Sequence, residues 1–155
     1  MTKADGNGAA DFDLKSRSTY THWTDHTIRY NDLDVLGHVN NAVYSTFFEA
    51  GRTMFMEEMA QEMTGNGRNI DFVLARVTID FLKELRYPGS VDIGSRVYRI
   101  GTKSMSFVNG VFRHDTDECV ATCEAVLVFF DLDERASCEP PAKVRAFLEA
   151  NLRGE

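Results

Sequence analysis

From Val73 to Phe81, the apolar residues Val73, Ala75, Val77, Ile79 and Phe81 alternate with Arg76, Thr78 and Asp80. That period of two belongs to a strand with one buried face. Three more such runs follow: 91–100, with Val91, Ile93 and Val97 inward, then 104–114, then 119–130, where Ala121, Cys123, Ala125, Leu127 and Phe129 form an apolar face. Pro88-Gly89, Gly101 to Lys103 and Asp115 to Glu118 supply the turns between them. Upstream, WTDHTIRY (23–30) reads as a strand that stops at the polar stretch Asn31 to Asp34.

Between that strand and the meander the period changes to that of a helix. Asn40 and Asn41 are capping residues. After them Val43, Phe47, Ala50 and Met54 form one stripe, and Tyr44, Phe48, Gly51, Phe55 and Met59 a second beside it. Ser45, Glu49, Arg52 and Glu57 are the main polar strip beside so broad an apolar surface, so other elements must wrap this helix. Glu49 and Arg52, one turn apart, are placed to pair. Gly65 to Gly67 end the helix, and Pro140-Pro141 precede a short closing helix over 142–152. Helices set against one face of an antiparallel sheet make an α+β fold.

Residues 1–20 are rich in Gly, Ala, Asp and Ser and read as a disordered leader to a single domain over 21–152. The 155 residues carry 17 Lys and Arg against 24 Asp and Glu, a net charge of −7. Nucleic acid and anionic membranes attract basic surfaces, so neither is an expected partner. Cys119, Cys123 and Cys138 form no C-x-x-C pair and read as buried thiols in a reducing compartment. With no apolar N-terminal stretch, the expected location is cytoplasmic.

Reactive side chains are densest at Asp32, Asp34, His38, Asn40 and Asn41, on the loop that opens the long helix. Free N–H groups and the positive end of the helix dipole there suit a developing oxyanion, and a carboxylate beside them suits hydrolysis of an activated acyl group. The same residues read equally well as caps that tie the loop. Asp32-x-Asp34-x-x-Gly37 imitates a calcium loop, but Leu36 and Val43 stand where ligands are required, and no metal is expected. His22 and His26 read as structural.

The run YNDLDVLGHVNNAVY (30–44), followed by Phe48-Glu49-Ala50-Gly51-Arg52, resembles the signature of the hotdog-fold acyl-CoA thioesterases of the 4-hydroxybenzoyl-CoA thioesterase type. The resemblance implies a curved antiparallel sheet around the long helix, and a homodimer or homotetramer with active sites between subunits. It implies Asp34 as nucleophile or general base, the Asn41 backbone N–H as the carbonyl-polarising donor, and no cofactor beyond the coenzyme A of the substrate. The loop also resembles that of the plant acyl-carrier-protein thioesterases, in which an Asp, an Asn and a His are implicated: Asp34 and His38 match, Leu36 stands where the Asn would be, and His38 is expected as an accessory catalytic or loop-ordering residue. Coenzyme A phosphates are expected at Lys103 and Ser104, with Arg99 and Arg76 behind them. The acyl group is expected at Tyr44 and Phe48. Hydrolysis of acyl groups from acyl carrier protein, and acyl-ligand binding without turnover, are the competing expectations.

Overall fold

The computed structural model describes residues 11–63 and 68–153. The elements follow the expected order: β1 (His22–Thr27), α1 (Asn41–Met63), β2 (Ile70–Phe81), β3 (Ser90–Ile100), β4 (Ser104–Arg113), β5 (Cys119–Asp131), β6 (Ala136–Ser137) and α2 (Ala142–Arg153). The expected helix stop at Gly65 to Gly67 lies outside the described residues. The strands form one antiparallel sheet in the order β1-β3-β4-β5-β2, with the short β6 on β5. It is the curled sheet and central helix of the hotdog fold.

The sheet's inner face carries Ile93, Val97, Phe107, Val111, Ala121, Cys123, Ala125, Leu127 and Phe129, all buried, and α1 answers with Tyr44, Phe47, Phe48, Phe55 and Met59. Gly51 fixes how close the two come. A Cβ there would sit 2.6 Å from Ile93 Cγ2 and 2.9 Å from Ser95 Oγ, so only glycine lets the helix backbone settle on β3. His22 and His26 point their rings at Phe55 and Phe47, as structural residues.

Two expectations change. β2 is a strand, but a bulge between Leu74 and Arg76 breaks its alternation. Val73 pairs with Val128 on the outer face, while Leu74 pairs with Leu127 and Val77 with Ala125 on the inner face. The inner face of β2 is also only partly covered: Phe72 and Ile79 pack against the core and Phe81 meets Tyr44, but α1 packs chiefly on β1, β3 and β4, and Leu74, Val77 and Phe81 are 50%, 43% and 48% exposed. Arg52, expected to pair with Glu49, turns inward instead. It is buried against Cys123, its Nη1 has no hydrogen-bond partner among the described residues, and Glu49 stays exposed.

The stretch read as a leader is packed from residue 11 onward. It crosses the outer face, where Tyr20, Val108, Phe112 and Cys119 form a second small core with Leu14 and Tyr98. Gly94 and Gly110 face each other across β3 and β4, and a Cβ on either would meet the Tyr20 ring at under 3 Å. Periodicity could not show this, because the segment is short and its strongest anchor is one aromatic ring seated over two glycines. The three cysteines are buried and unpaired, and burial pushes the Cys119 and Cys123 thiols up to about 11. No helix among the described residues is long and apolar enough to cross a membrane.

Candidate active site

The loop from β1 to α1 is built on Asp32. Its side chain is 1% exposed and accepts from Arg29 three times: backbone N at 2.7 Å, Nη2 at 2.9 Å and Nε at 3.1 Å. Burial works to raise its pKa, but these bonds outweigh it and hold the carboxyl below the usual carboxylate range. Its carbonyl accepts from Asn40 N at 2.8 Å, so Asp32 is committed to structure and shapes the loop's entry and exit.

Asp34 is different. Gly37, at φ +80°, lets the chain turn back so that Asp34 N donates to His38 O at 2.8 Å and Gly37 N to Asp34 O at 3.0 Å. The carboxylate Oδ1 accepts from Leu36 N at 2.9 Å and His38 N at 3.3 Å. Oδ2 accepts no hydrogen bond among the described residues. At the helix start Asn40 is the cap: its Oδ1 takes Ala42 N at 3.0 Å and its carbonyl takes Val43 N at 2.9 Å. The Asn41 N–H is the one those bonds leave over, a donor without a partner among the described residues, at the positive end of a 23-residue helix.

Asp34, His38, Asn41 and Tyr44 line one cavity of about 390 Å³, together with Leu36, Val39, Phe81, Leu82, Lys83 and Glu84. Tyr44 is buried, which raises its pKa; its ring stands 5.3 Å from that of Phe81, and its hydroxyl donates to Lys83 O at 3.3 Å. His38 Nε2 lies 2.7 Å from Glu84 Oε2, and Arg86 reaches Glu84 Oε1 at 3.2 Å. Phe81, Lys83 and Glu84 are lining residues that sequence reasoning missed. Phe81 ends β2, and Lys83 and Glu84 follow it, more than forty residues downstream of the loop, in a run with no recognisable spacing. The one signal was a charged stretch, Lys83 to Arg86, closing an apolar strand.

Lys103 and Ser104 do not join this cavity within the chain. Ser104 pairs with Val128, level with Val73, whereas Phe81 is level with Ala121. Seven residues along β5 separate the two levels, roughly 23 Å. Arg145 of α2 holds that turn through the Gly101 and Thr102 carbonyls. Phe48 is wholly buried in the core.

Among the described residues, the ligand-type side chains that converge are Asp92, His114 and Asp115, within 4.8 Å of one another on the outer side of the sheet. Asp92 accepts from His114 Nδ1 at 2.7 Å, Asp115 N at 3.0 Å and Arg17 Nη2 at 3.0 Å, so both its oxygens are already engaged. Burial opposes ionisation of Asp92, yet these donors hold its pKa low.

Comparison with known proteins agrees with the fold. The family model of the thioesterase-like superfamily matches residues 28–148. A crystal structure of the PA5185 protein of Pseudomonas aeruginosa superposes with TM-score 0.78 at 25% identity, covering 88% of this chain and 94% of that one. A Thermus thermophilus thioesterase, crystallised with coenzyme A and Zn, gives 0.71 at 27% identity over 84% and 99% of the two chains. Among curated proteins, an acyl-acyl carrier protein thioesterase of Arabidopsis thaliana chloroplasts, ATL3, is 26% identical over 79% of this chain. The chain spans 66% of that relative's length and 64% of the acyl-acyl carrier protein thioesterase ATL2 of the same plant.

Proposed function

The chain belongs to the thioesterase-like superfamily, and from that premise we propose that it hydrolyses an acyl-CoA thioester in the Asp34 cavity, yielding the free acid and coenzyme A. One observation carries the reading. A carboxylate oxygen and a helix-start N–H, both without partners among the described residues, belong to residues lining one cavity. The thioester oxygen binds at Asn41 N–H, where the helix end favours the charge that develops on it. Asp34 Oδ2 then either takes the proton of an attacking water or attacks the carbonyl carbon itself. Tyr44 and Phe81 form the apolar wall beside the reacting carbonyl.

The unit of function in this reading is a homodimer through β2. That strand is one edge of the sheet, and Leu74, Val77 and Phe81 on it are each about half exposed. A two-fold pairing of β2 with its copy runs the strands in opposite senses, so the Val73 end of one subunit meets the Phe81 end of the other. Lys103 and Ser104 of the partner subunit then stand near the mouth of the cavity, where a coenzyme A phosphate needs a cation. The likeness to a thioesterase crystallised with coenzyme A supports that carrier.

The experiment is thiol release from short, medium, long and aromatic acyl-CoAs by the wild type and Asp34→Asn, with folding of both verified. Turnover that collapses in the variant is the expected result. No turnover, or turnover indifferent to Asp34, overturns it. The curated relatives favour a second reading, acyl carrier protein as the thiol carrier. A kcat/KM tenfold higher on acyl carrier protein than on the matching CoA ester would select that reading.

A further inference from the structure

The cavity holds a second carboxylate that the reading above leaves unused. Glu84 is 51% exposed at its side chain, yet it is fixed from two sides: Oε2 stands 2.7 Å from His38 Nε2, and Oε1 takes Arg86 Nη2 at 3.2 Å and Nε at 3.4 Å. Arg86 Nη2 also lies 3.0 Å from His38 Nε2. A guanidinium only donates, and one ring nitrogen cannot be donor and acceptor together. Arg86 already has its acceptor in Oε1, and the carboxylate contact is the shorter. The arrangement that satisfies every group has His38 Nε2–H donating to Glu84 and Arg86 donating to the same carboxylate.

We propose that Glu84 is the positioning residue for His38, and that the pair delivers the proton to the leaving sulfur. The proposal rests on the thioesterase reading. With a proton fixed on Nε2, Nδ1 is the nitrogen that gains and loses one, and it has no hydrogen-bond partner among the described residues. Glu84 compensates the positive charge of the imidazolium, as the carboxylate of a nucleophile–histidine–carboxylate triad does. When the tetrahedral intermediate collapses, the C–S bond breaks, its electron pair goes to sulfur, and the Nδ1 proton passes to that sulfur. The imidazole is left neutral with Nε2–H still on Glu84, and the proton that water loses on adding to the acyl carbon restores Nδ1, directly where Asp34 is the nucleophile and by way of the Asp34 carboxyl where Asp34 is the base. The charged groups facing His38 are Asp34 on its own loop, and Glu84, Arg86 and Lys83 on the segment after β2.

The test compares full-length wild type, Glu84→Gln, Glu84→Asp and Asp34→Asn on two esters of the same acyl group: the CoA thioester, whose alkyl thiolate leaves poorly, and an aryl thioester, whose thiolate leaves without a proton. Expected is a ten- to hundredfold loss of kcat for Glu84→Gln on the CoA ester, with KM within twofold. Partial recovery in Glu84→Asp and a defect below threefold on the aryl ester complete the expectation. An equal defect on both leaving groups, or none on either, overturns the proposal while the collapse of Asp34→Asn leaves the thioesterase reading intact. If Asp34→Asn keeps its activity, it is that reading which fails. Glu84 is half-exposed, so its amide variant should fold, and circular dichroism verifies it.

Discussion

Two clusters in this molecule set a histidine among carboxylates, one at each face of the sheet, and they differ in what each leaves over. On the outer side Asp92 is filled by His114, Asp115 N and Arg17, and it ties the turn after β4 and the N-terminal segment to β3. In the α1 loop Asp34 spends one oxygen on the loop and keeps the other, while the adjoining helix start keeps one N–H. Saturated hydrogen-bonding capacity holds a fold together, whereas unmet capacity at a cavity wall waits for a ligand. The residue types hardly separate the two clusters; their valences do.

The sharpest way to break the comparison is to neutralise each aspartate in turn. Asp34→Asn should cost about 10²–10⁴-fold in kcat, the range of an acid–base group, and leave the melting temperature within a degree or two of wild type. Asp92→Asn should do the reverse, costing about 1–3 kcal/mol of stability through hydrogen bonds to a charged, largely buried acceptor, with kcat of the folded protein unchanged. For a chain of this length that is about 2–4 °C of melting temperature per kcal/mol. If Asp92→Asn loses turnover while still folded, the division of roles is wrong.

Between these extremes stand two tests of the assembly. Val77→Glu puts a carboxylate on the partly covered inner face of the edge strand. It should yield a monomer on size exclusion and lower activity at least tenfold; a dimer of full activity would refute pairing through β2. Lys103→Ala should raise KM for the acyl-CoA about fivefold, the loss of roughly 1 kcal/mol from one solvent-facing ion pair, with kcat constant. An unchanged KM would move the phosphate contact to another cation.

How far the sequence reached follows the range of the interactions involved. The helix, its cap at Asn40 and the strand meander are written in local periods and turn residues, and they appear where the pattern puts them. The D-x-D pair was legible as a loop, and the difference between Asp32 and Asp34 emerges only when Arg29 is seen closing on the first of them. Glu84 could not be read, because its meaning depends on a contact with His38 forty-six positions away. β2 misled for a related reason. Its alternation reads as a buried face, but one bulge exchanges Val73 for Leu74, and α1 covers that face only at its Phe81 end, through Tyr44.

The smallest expected effect probes the saturated cluster by pH. The hydrogen bond to Asp92, then the charge of Asp115, raise the His114 pKa above its ordinary value. A group raised on folding adds stability that is fully present below its unfolded pKa, about 6.5, and lost as pH climbs through the folded value. Asp92, held low, works in the opposite sense: its contribution is present above its unfolded pKa, about 3.9, and fades as pH falls through its folded value. Melting temperatures of wild type and His114→Gln should therefore differ most between about pH 5 and 6.5 and converge on the alkaline side. A difference that is constant with pH, or that widens above pH 7, would mean that His114 holds the turn by shape and not by charge. The exposed ring keeps this effect small. Since the cluster lies on the far face of the sheet from Asp34, hydrolysis by the two proteins at pH 7 should be the same.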